Sequence, residues 1–181
     1  LPEDSLVGKC RIKSGLPLAS LPTEAEWEFA ARAGESRAYC WGGEMTTNAL
    51  GAAVSPALGE YAWYAENAND ETHPVGMKKP NAWGLYDMYG NVAETTLDRA
   101  RVTSSMLRYP SGAIDPILSN DVTGSDGGAG NAANVVRGGS WLEPAASCRS
   151  AARCAPYAKW GFQDVPGNGW YIGARLVVRL F

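Results

Sequence analysis

The sequence is poor in the residues that several classes of site require. Its single histidine, His73, excludes a centre built on several histidines, such as a three-histidine zinc or iron site. Only 19% of the residues are charged, and the longest apolar runs are too short for a transmembrane helix. The four cysteines fit no C-x-x-C metal or redox spacing, so they can form two disulfides or stay as free thiols: Cys10, Cys40, Cys148 and Cys154.

Turn formers and aromatic residues are plentiful. The 181 residues include 21 Gly, 11 Pro, seven Trp and eight Tyr, and 45% of all residues are apolar. This composition supplies a core and frequent turns at about the length of one domain. We therefore predict a single domain over residues 1–181, of the α+β class, with few helices, short strands and a large share of ordered loop.

Charge is unevenly distributed along the chain. Residues 1–136 hold 10 basic and 17 acidic side chains, a net −7, whereas residues 137–181 hold six basic and two acidic, a net +4. A basic segment can meet phosphate, but these side chains are scattered rather than clustered. We predict that the arginines bond carboxylates and loop carbonyls and that the protein has no nucleic-acid partner. The six basic residues are Arg137, Arg149, Arg153, Lys159, Arg175 and Arg179.

Local sequence patterns predict one helix and two strands. Thr23 and Glu26 have capping-box spacing, which predicts a helix from about Glu24 to Ala33 that stops at Gly34. Apolar β-branched residues predict one strand ending at Arg137 and a closing strand over 175–180. The polar stretch 99–134 is predicted to be a loop insertion.

Several blocks occur in the order that a known family shows. They are LPTEAEWEFAAR at 21–32, HPVG at 73–76, PNAWGLYDM at 80–88, VRGGSW at 136–141 and CRSAAR at 148–153. Together they resemble the formylglycine-generating enzyme family, also called sulfatase-modifying factors. The resemblance implies a C-type-lectin-like fold with a short, twisted antiparallel sheet.

The same resemblance implies a catalytic pair that this chain lacks. Enzymes of the family use two cysteines to bind copper, and the matching positions here are Glu143 and Cys148. A carboxylate is a poor substitute for a thiolate on soft Cu(I). We therefore predict no catalytic residues and no enzymatic activity. The alternative is a copper-dependent formylglycine-generating oxidase, or another catalytic or scaffolding member of the family.

A calcium site is a second implication of the resemblance. Asn91 and Glu94, with a backbone carbonyl between them, offer oxygen ligands of the kind that Ca²⁺ uses. The alternative is that Asn91 sets a turn and Glu94 pairs with an arginine. No other cofactor is predicted.

Near the C-terminus, aromatic residues alternate with small ones, a composition typical of antibody binding surfaces. This segment also resembles the variable proteins of diversity-generating retroelements, a subgroup with the same type of fold. The resemblance implies a variable ligand-binding region over 137–176, with Cys148, Arg149, Arg153 and Gly173 as fixed anchors. The implied variable positions are Leu142, Glu143, Pro144, Ala146, Ser147, Ala152, Cys154, Ala155, Tyr157, Trp160, Gly169, Trp170 and Tyr171.

These features together predict a non-enzymatic ligand-recognition protein. A flat aromatic surface favours a protein ligand over a small molecule. Because variable recognition is useful outside the cell, we expect an exported protein at the cell surface or in the extracellular space.

Overall fold

The elements are short and widely spaced. The computed structural model describes residues 5–43, 45–47, 53–101, 132–154 and 171–179. Its helices are α1 (Leu6–Ser14), α2 (Glu24–Arg32), α3 (Leu58–Tyr61) and a 3-10 helix (Ala145–Cys148). Its strands are β1 (Ala19–Ser20), β2 (Thr46–Thr47), β3 (Ala53–Val54), β4 (Ala93–Arg101), β5 (Ala132–Arg137), β6 (Arg153–Cys154), β7 (Ile172–Ala174) and β8 (Val177–Val178).

Helix α2 confirms the capping-box prediction. Thr23 Oγ1 accepts a hydrogen bond from the Glu26 amide at 3.1 Å, and Glu26 Oε2 accepts one from the Thr23 amide at 2.7 Å. The helix ends at Arg32, one residue earlier than predicted. The left-handed residue that terminates it is Ala33 (φ 49°), whereas the prediction placed the end at Gly34.

The main sheet has four strands in the order β6-β5-β4-β7. Strand β5 runs antiparallel to both β4 and β6, whereas β7 runs parallel to β4, so this sheet is mixed and not purely antiparallel as predicted. Two small antiparallel ribbons, β1–β8 and β2–β3, complete the described strands. This mixture of short helices and small sheets confirms the α+β class.

Two sequence-based boundaries need correction. Of the predicted closing strand over 175–180, the described residues 175–179 contain only β8, Val177–Val178, which pairs with β1. Both ends of the predicted loop over 99–134 are strand residues, in β4 and β5. Residues 102–131 lie outside the described residues, so the insertion itself stays a prediction.

The core lies between α2, the main sheet and the loops that cover them. Its buried side chains include Trp27, Tyr39, Leu58, Met88 and Cys148.

Arg137, fully buried at the end of β5, bonds to Glu24 and Glu28 of α2 and to the carbonyls of Ser150 and Ala152. It thereby joins helix, sheet and the segment after the 3-10 helix. Arg149, Arg153, Arg175 and Arg179 also bond carboxylates or carbonyls, as predicted.

Candidate functional site

The segment from Gly138 to Cys154 forms the candidate site. It leaves β5 through the Gly138-Gly139 turn, where both residues have positive φ (92° and 70°). A bond from the Glu143 amide to the Ser140 carbonyl (3.0 Å) then leads into the 3-10 helix. A Cβ at Gly139 would lie 2.6 Å from Cys148 Sγ, so the turn packs directly on that thiol.

Side-chain burial alternates along this segment. Leu142 and Pro144 are exposed, while Ala145, Cys148 and Ser150 are completely buried. The predicted variable positions whose side chains are described are all exposed or half-buried: Leu142, Glu143, Pro144, Ala146, Ser147, Ala152 and Tyr171. Cys154 lies in β6 opposite Val136. The remaining predicted positions lie outside the described residues: Ala155, Tyr157, Trp160, Gly169 and Trp170.

The four predicted anchors are held by the scaffold. Cys148 is completely buried, and Arg149 donates to the Ala146 carbonyl at 2.9 Å. Arg153 pairs with the buried Glu24 of α2. A Cβ at Gly173 would lie 2.7 Å from Val92 Cγ2, so β7 packs tightly on the start of β4. Whether the neighbouring positions vary stays a prediction.

The thiol of Cys148 is completely buried. Burial, reinforced by the negative charges of Glu143 and Glu66, raises its pKa. Cys10, Cys40 and Cys148 are free thiols, which selects the free-thiol alternative for these three. The copper site that the resemblance implies uses two thiolates, and Glu143 occupies the position of the other one.

The predicted calcium ligands are engaged by protein groups. Asn91 Oδ1 accepts from the His73 amide at 3.0 Å, and its Nδ2 donates to the His73 carbonyl at 2.9 Å. Glu94 accepts from Arg175 through both oxygens and from Trp27 Nε1 at 2.7 Å. The Glu94 carboxylate is thus paired with an arginine, and the Asn91 amide oxygen already accepts a hydrogen bond, as the alternative to a calcium site describes. The calcium site stays a prediction.

One neighbouring segment was not predicted to belong to the site. The Ala65 amide donates to the Glu143 carbonyl at 3.1 Å, so the segment around Tyr64 and Glu66 lies beside the candidate segment. Burial raises the pKa of both Tyr64 and Cys148, and the negative charge of Glu66 adds to each shift. No sequence motif links positions so far apart, since the contact is made by backbone atoms.

Comparison with known proteins identifies the family. Residues 8–178 match the family described as "Sulfatase-modifying factor enzyme 1-like domain". The chain belongs to this family. Its fold is accordingly the C-type-lectin-like fold predicted from the sequence blocks.

Relatives of this sulfatase-modifying factor domain differ in activity. The formylglycine-generating enzyme of Streptomyces coelicolor is 36% identical over 67% of this chain. The inactive Cα-formylglycine-generating enzyme 2 of Bos taurus is 33% identical over 75% of it. The chain covers only 36% and 43% of those two proteins.

Solved structures extend the comparison. Treponema denticola variable protein 1 shares 31% identity over 90% of this chain, with a TM-score of 0.58, and the match covers 48% of that protein. PvdO from Pseudomonas aeruginosa shares 27% identity over 96% of this chain, with a TM-score of 0.62, and the match covers 57% of that protein. None of the described helices is long and apolar enough to cross a membrane.

Proposed function

We propose that this domain is a non-enzymatic ligand-recognition module whose binding surface lies within residues 137–176. The observation that carries the proposal is the alternation of burial after Trp141. Fixed, buried side chains hold the backbone, and the side chains between them face outward, where replacement costs little stability. The likeness to a Treponema denticola variable protein supports the same function.

The residues at the two copper-binding positions of the family favour a recognition function over an oxidase activity. Glu143 supplies a carboxylate in place of one thiolate, and the remaining thiol, Cys148, is completely buried. A relative named as inactive indicates that this type of fold can persist without the enzymatic activity. We therefore interpret Glu143 as part of a binding surface.

The proposed ligand is a protein encountered outside the cell. Leu142 is 46% exposed, and a large apolar side chain on an otherwise open surface suits a protein partner better than a small molecule. Export to the cell surface is part of this proposal.

Comparison of the coding sequence among isolates tests the variable surface. We expect substitutions to concentrate at the predicted variable positions and to spare Cys148, Arg153 and Gly173. Substitutions spread evenly over exposed positions of the whole domain would contradict targeted variation.

An oxygen-consumption assay tests the enzymatic alternative. The protein is supplied with Cu(I) and a cysteine-containing sulfatase peptide, and we expect no conversion of the cysteine to formylglycine. Glu143→Cys is the matched variant, because it places a thiol at the position that lacks one and leaves the anchors unchanged. Turnover by the unaltered protein would overturn the recognition proposal.

A further inference from the structure

The end of helix α1 and the turn after it expose several apolar side chains. Every residue from 12 to 18 is exposed. Three of them are large and aliphatic: Ile12, Leu16 and Leu18 are 64%, 46% and 50% exposed. We call residues 9–18 the α1 tip. Neighbouring apolar side chains left open to solvent mark interaction sites, and this group contains none of the predicted variable positions.

Hydrogen bonds hold the α1 tip in one shape. The helix stops at Gly15 (φ 68°), whose amide donates to the Arg11 carbonyl at 3.0 Å. The Ala19 amide donates to the Leu16 carbonyl at 3.0 Å, and Arg11 Nε donates to the Ala19 carbonyl at 2.6 Å. Leu16 and Leu18 are therefore presented on a turn that is tied to the helix, so little ordering is needed when they bind.

The α1 tip is also cationic. Lys9, Ile12 and Lys13 share one face of α1 at i, i+3, i+4 spacing, and all three are exposed. Residues 5–23 contain three basic side chains and no acidic one, although the whole chain has a net charge of −3. The acidic residues nearest in sequence are Asp4 and Glu24.

Neither lysine of the α1 tip forms an ion pair within the described part of the chain. The cations that do so there are Arg32, Arg37, Lys79, Arg137, Arg153, Arg175 and Arg179. The ammonium groups of Lys9 and Lys13 are thus open to an external anion beside the exposed aliphatic side chains.

This combination suits the surface of a lipid bilayer better than a protein partner. Protein interfaces are enriched in aromatic residues, Met and Arg and are depleted in Lys, whereas the exposed side chains of the α1 tip are Lys, Ile, Leu, Ser and Pro. At a bilayer, aliphatic side chains enter the boundary between headgroups and acyl chains, and lysines reach the headgroups on their apolar stems. Charge complementarity selects anionic lipid.

We propose that the α1 tip docks this domain on an anionic lipid bilayer. Leu16 and Leu18 enter the headgroup boundary, and Lys9 and Lys13 contact the negatively charged headgroups. The binding is peripheral and reversible, because a few apolar side chains and cations hold a protein far less firmly than a spanning helix. The contact lies outside residues 137–176 and does not rest on the proposed recognition function.

Co-sedimentation with lipid vesicles tests this inference. The 181-residue domain is mixed with vesicles of phosphatidylcholine alone, or of equal parts of phosphatidylcholine and phosphatidylglycerol. The bound fraction is measured against lipid concentration. We expect partitioning onto the vesicles with phosphatidylglycerol to be about tenfold stronger or more, and to weaken with added salt.

Matched variants locate the contact. Leu16→Ser should weaken binding to the anionic vesicles about fivefold, and the Lys9→Gln/Lys13→Gln double variant should weaken it about tenfold or more and reduce its salt dependence. Val75→Ser and Lys79→Gln remove an exposed apolar side chain and an exposed cation elsewhere and should leave partitioning unchanged. Circular dichroism checks that each variant is folded, and the lysine variant keeps the test valid if Leu16→Ser does not fold.

Several results would overturn the inference: equal partitioning onto both kinds of vesicle, binding to neither, or equal losses in Val75→Ser and Leu16→Ser. A polyglutamate peptide that binds through Lys9 and Lys13 when vesicles do not would assign the α1 tip to an acidic protein segment instead. Failure to bind vesicles leaves the recognition function standing, and turnover in the oxygen assay leaves the membrane contact standing.

Discussion

At the residue scale, Gly139 determines how closely the candidate segment packs on the core. Its φ of 70° is unfavourable for other residues, and an added Cβ would lie 2.6 Å from Cys148 Sγ and 3.0 Å from the Ser147 carbonyl oxygen. We expect Gly139→Ala to lower the free energy of unfolding by about 2–4 kcal/mol, since backbone strain and overpacking add.

Gly76 provides the matched control for that substitution. Its φ of 77° is similar, but a Cβ added there would have no neighbouring atom within 4 Å. Gly76→Ala should therefore cost only the strain, about 1–2 kcal/mol. Denaturant unfolding measures the stability of both variants. Equal losses in the free energy of unfolding would show that the contact between the added Cβ and Cys148 does not destabilise the fold.

Cys148 gives a second test at this scale. Thiolates, not thiols, react with iodoacetamide, and the raised pKa of Cys148 keeps its thiolate fraction negligible through mildly alkaline pH. We expect Cys148 to be alkylated only after unfolding, whereas the half-buried Cys10 reacts in the native protein. Peptide mass spectrometry resolves the two sites. Rapid native labelling of Cys148 at about pH 8, near the ordinary thiol pKa, would contradict a protonated buried thiol.

At the scale of elements, the sequence was sufficient to predict a helix where its capping residues and its apolar periodicity agree. Helix α2 was predictable because Thr23 and Glu26 specify its start. Helix α1 was missed because its apolar residues do not form one continuous face. Its caps were nevertheless present, since Ser5 accepts from the Gly8 amide and Gly15 adopts φ 68° at the end.

Arg137 connects elements rather than stabilising one of them. It is completely buried and joins β5 to Glu24 and Glu28 of α2. Arg137→Met should lower the free energy of unfolding by about 3–5 kcal/mol, because carboxylates and carbonyls would lose a buried partner. Lys79→Met removes the exposed pair with Glu60 and should cause no measurable loss in the same denaturant titration. Comparable losses in the two variants would contradict the connecting role of Arg137.

At the scale of the whole molecule, ordered motifs predicted the family and the fold but not the full surface. Glu143 and Cys148 were located by their offsets from Ser140, whereas the close packing of Cys148 against Gly139 is visible only in the structure. The approach of Glu66 was not predictable, because the bond from Ala65 to Glu143 joins segments 78 positions apart through backbone atoms (143 minus 65). Long-range contacts of this kind leave no periodic signal in a sequence.

A variable binding surface requires that the stability of the fold does not depend on which side chain occupies each binding position. Ala145 and Ala146 test this separation with one substitution at adjacent residues, since Ala145 is completely buried and Ala146 is half-buried. Ala145→Leu should lower the free energy of unfolding by about 1–3 kcal/mol through overpacking. Ala146→Leu, at a predicted variable position, should change it by less than about 0.5 kcal/mol. Thermal and denaturant unfolding measure both, and a large loss at Ala146 would mean that the segment cannot vary without loss of the fold.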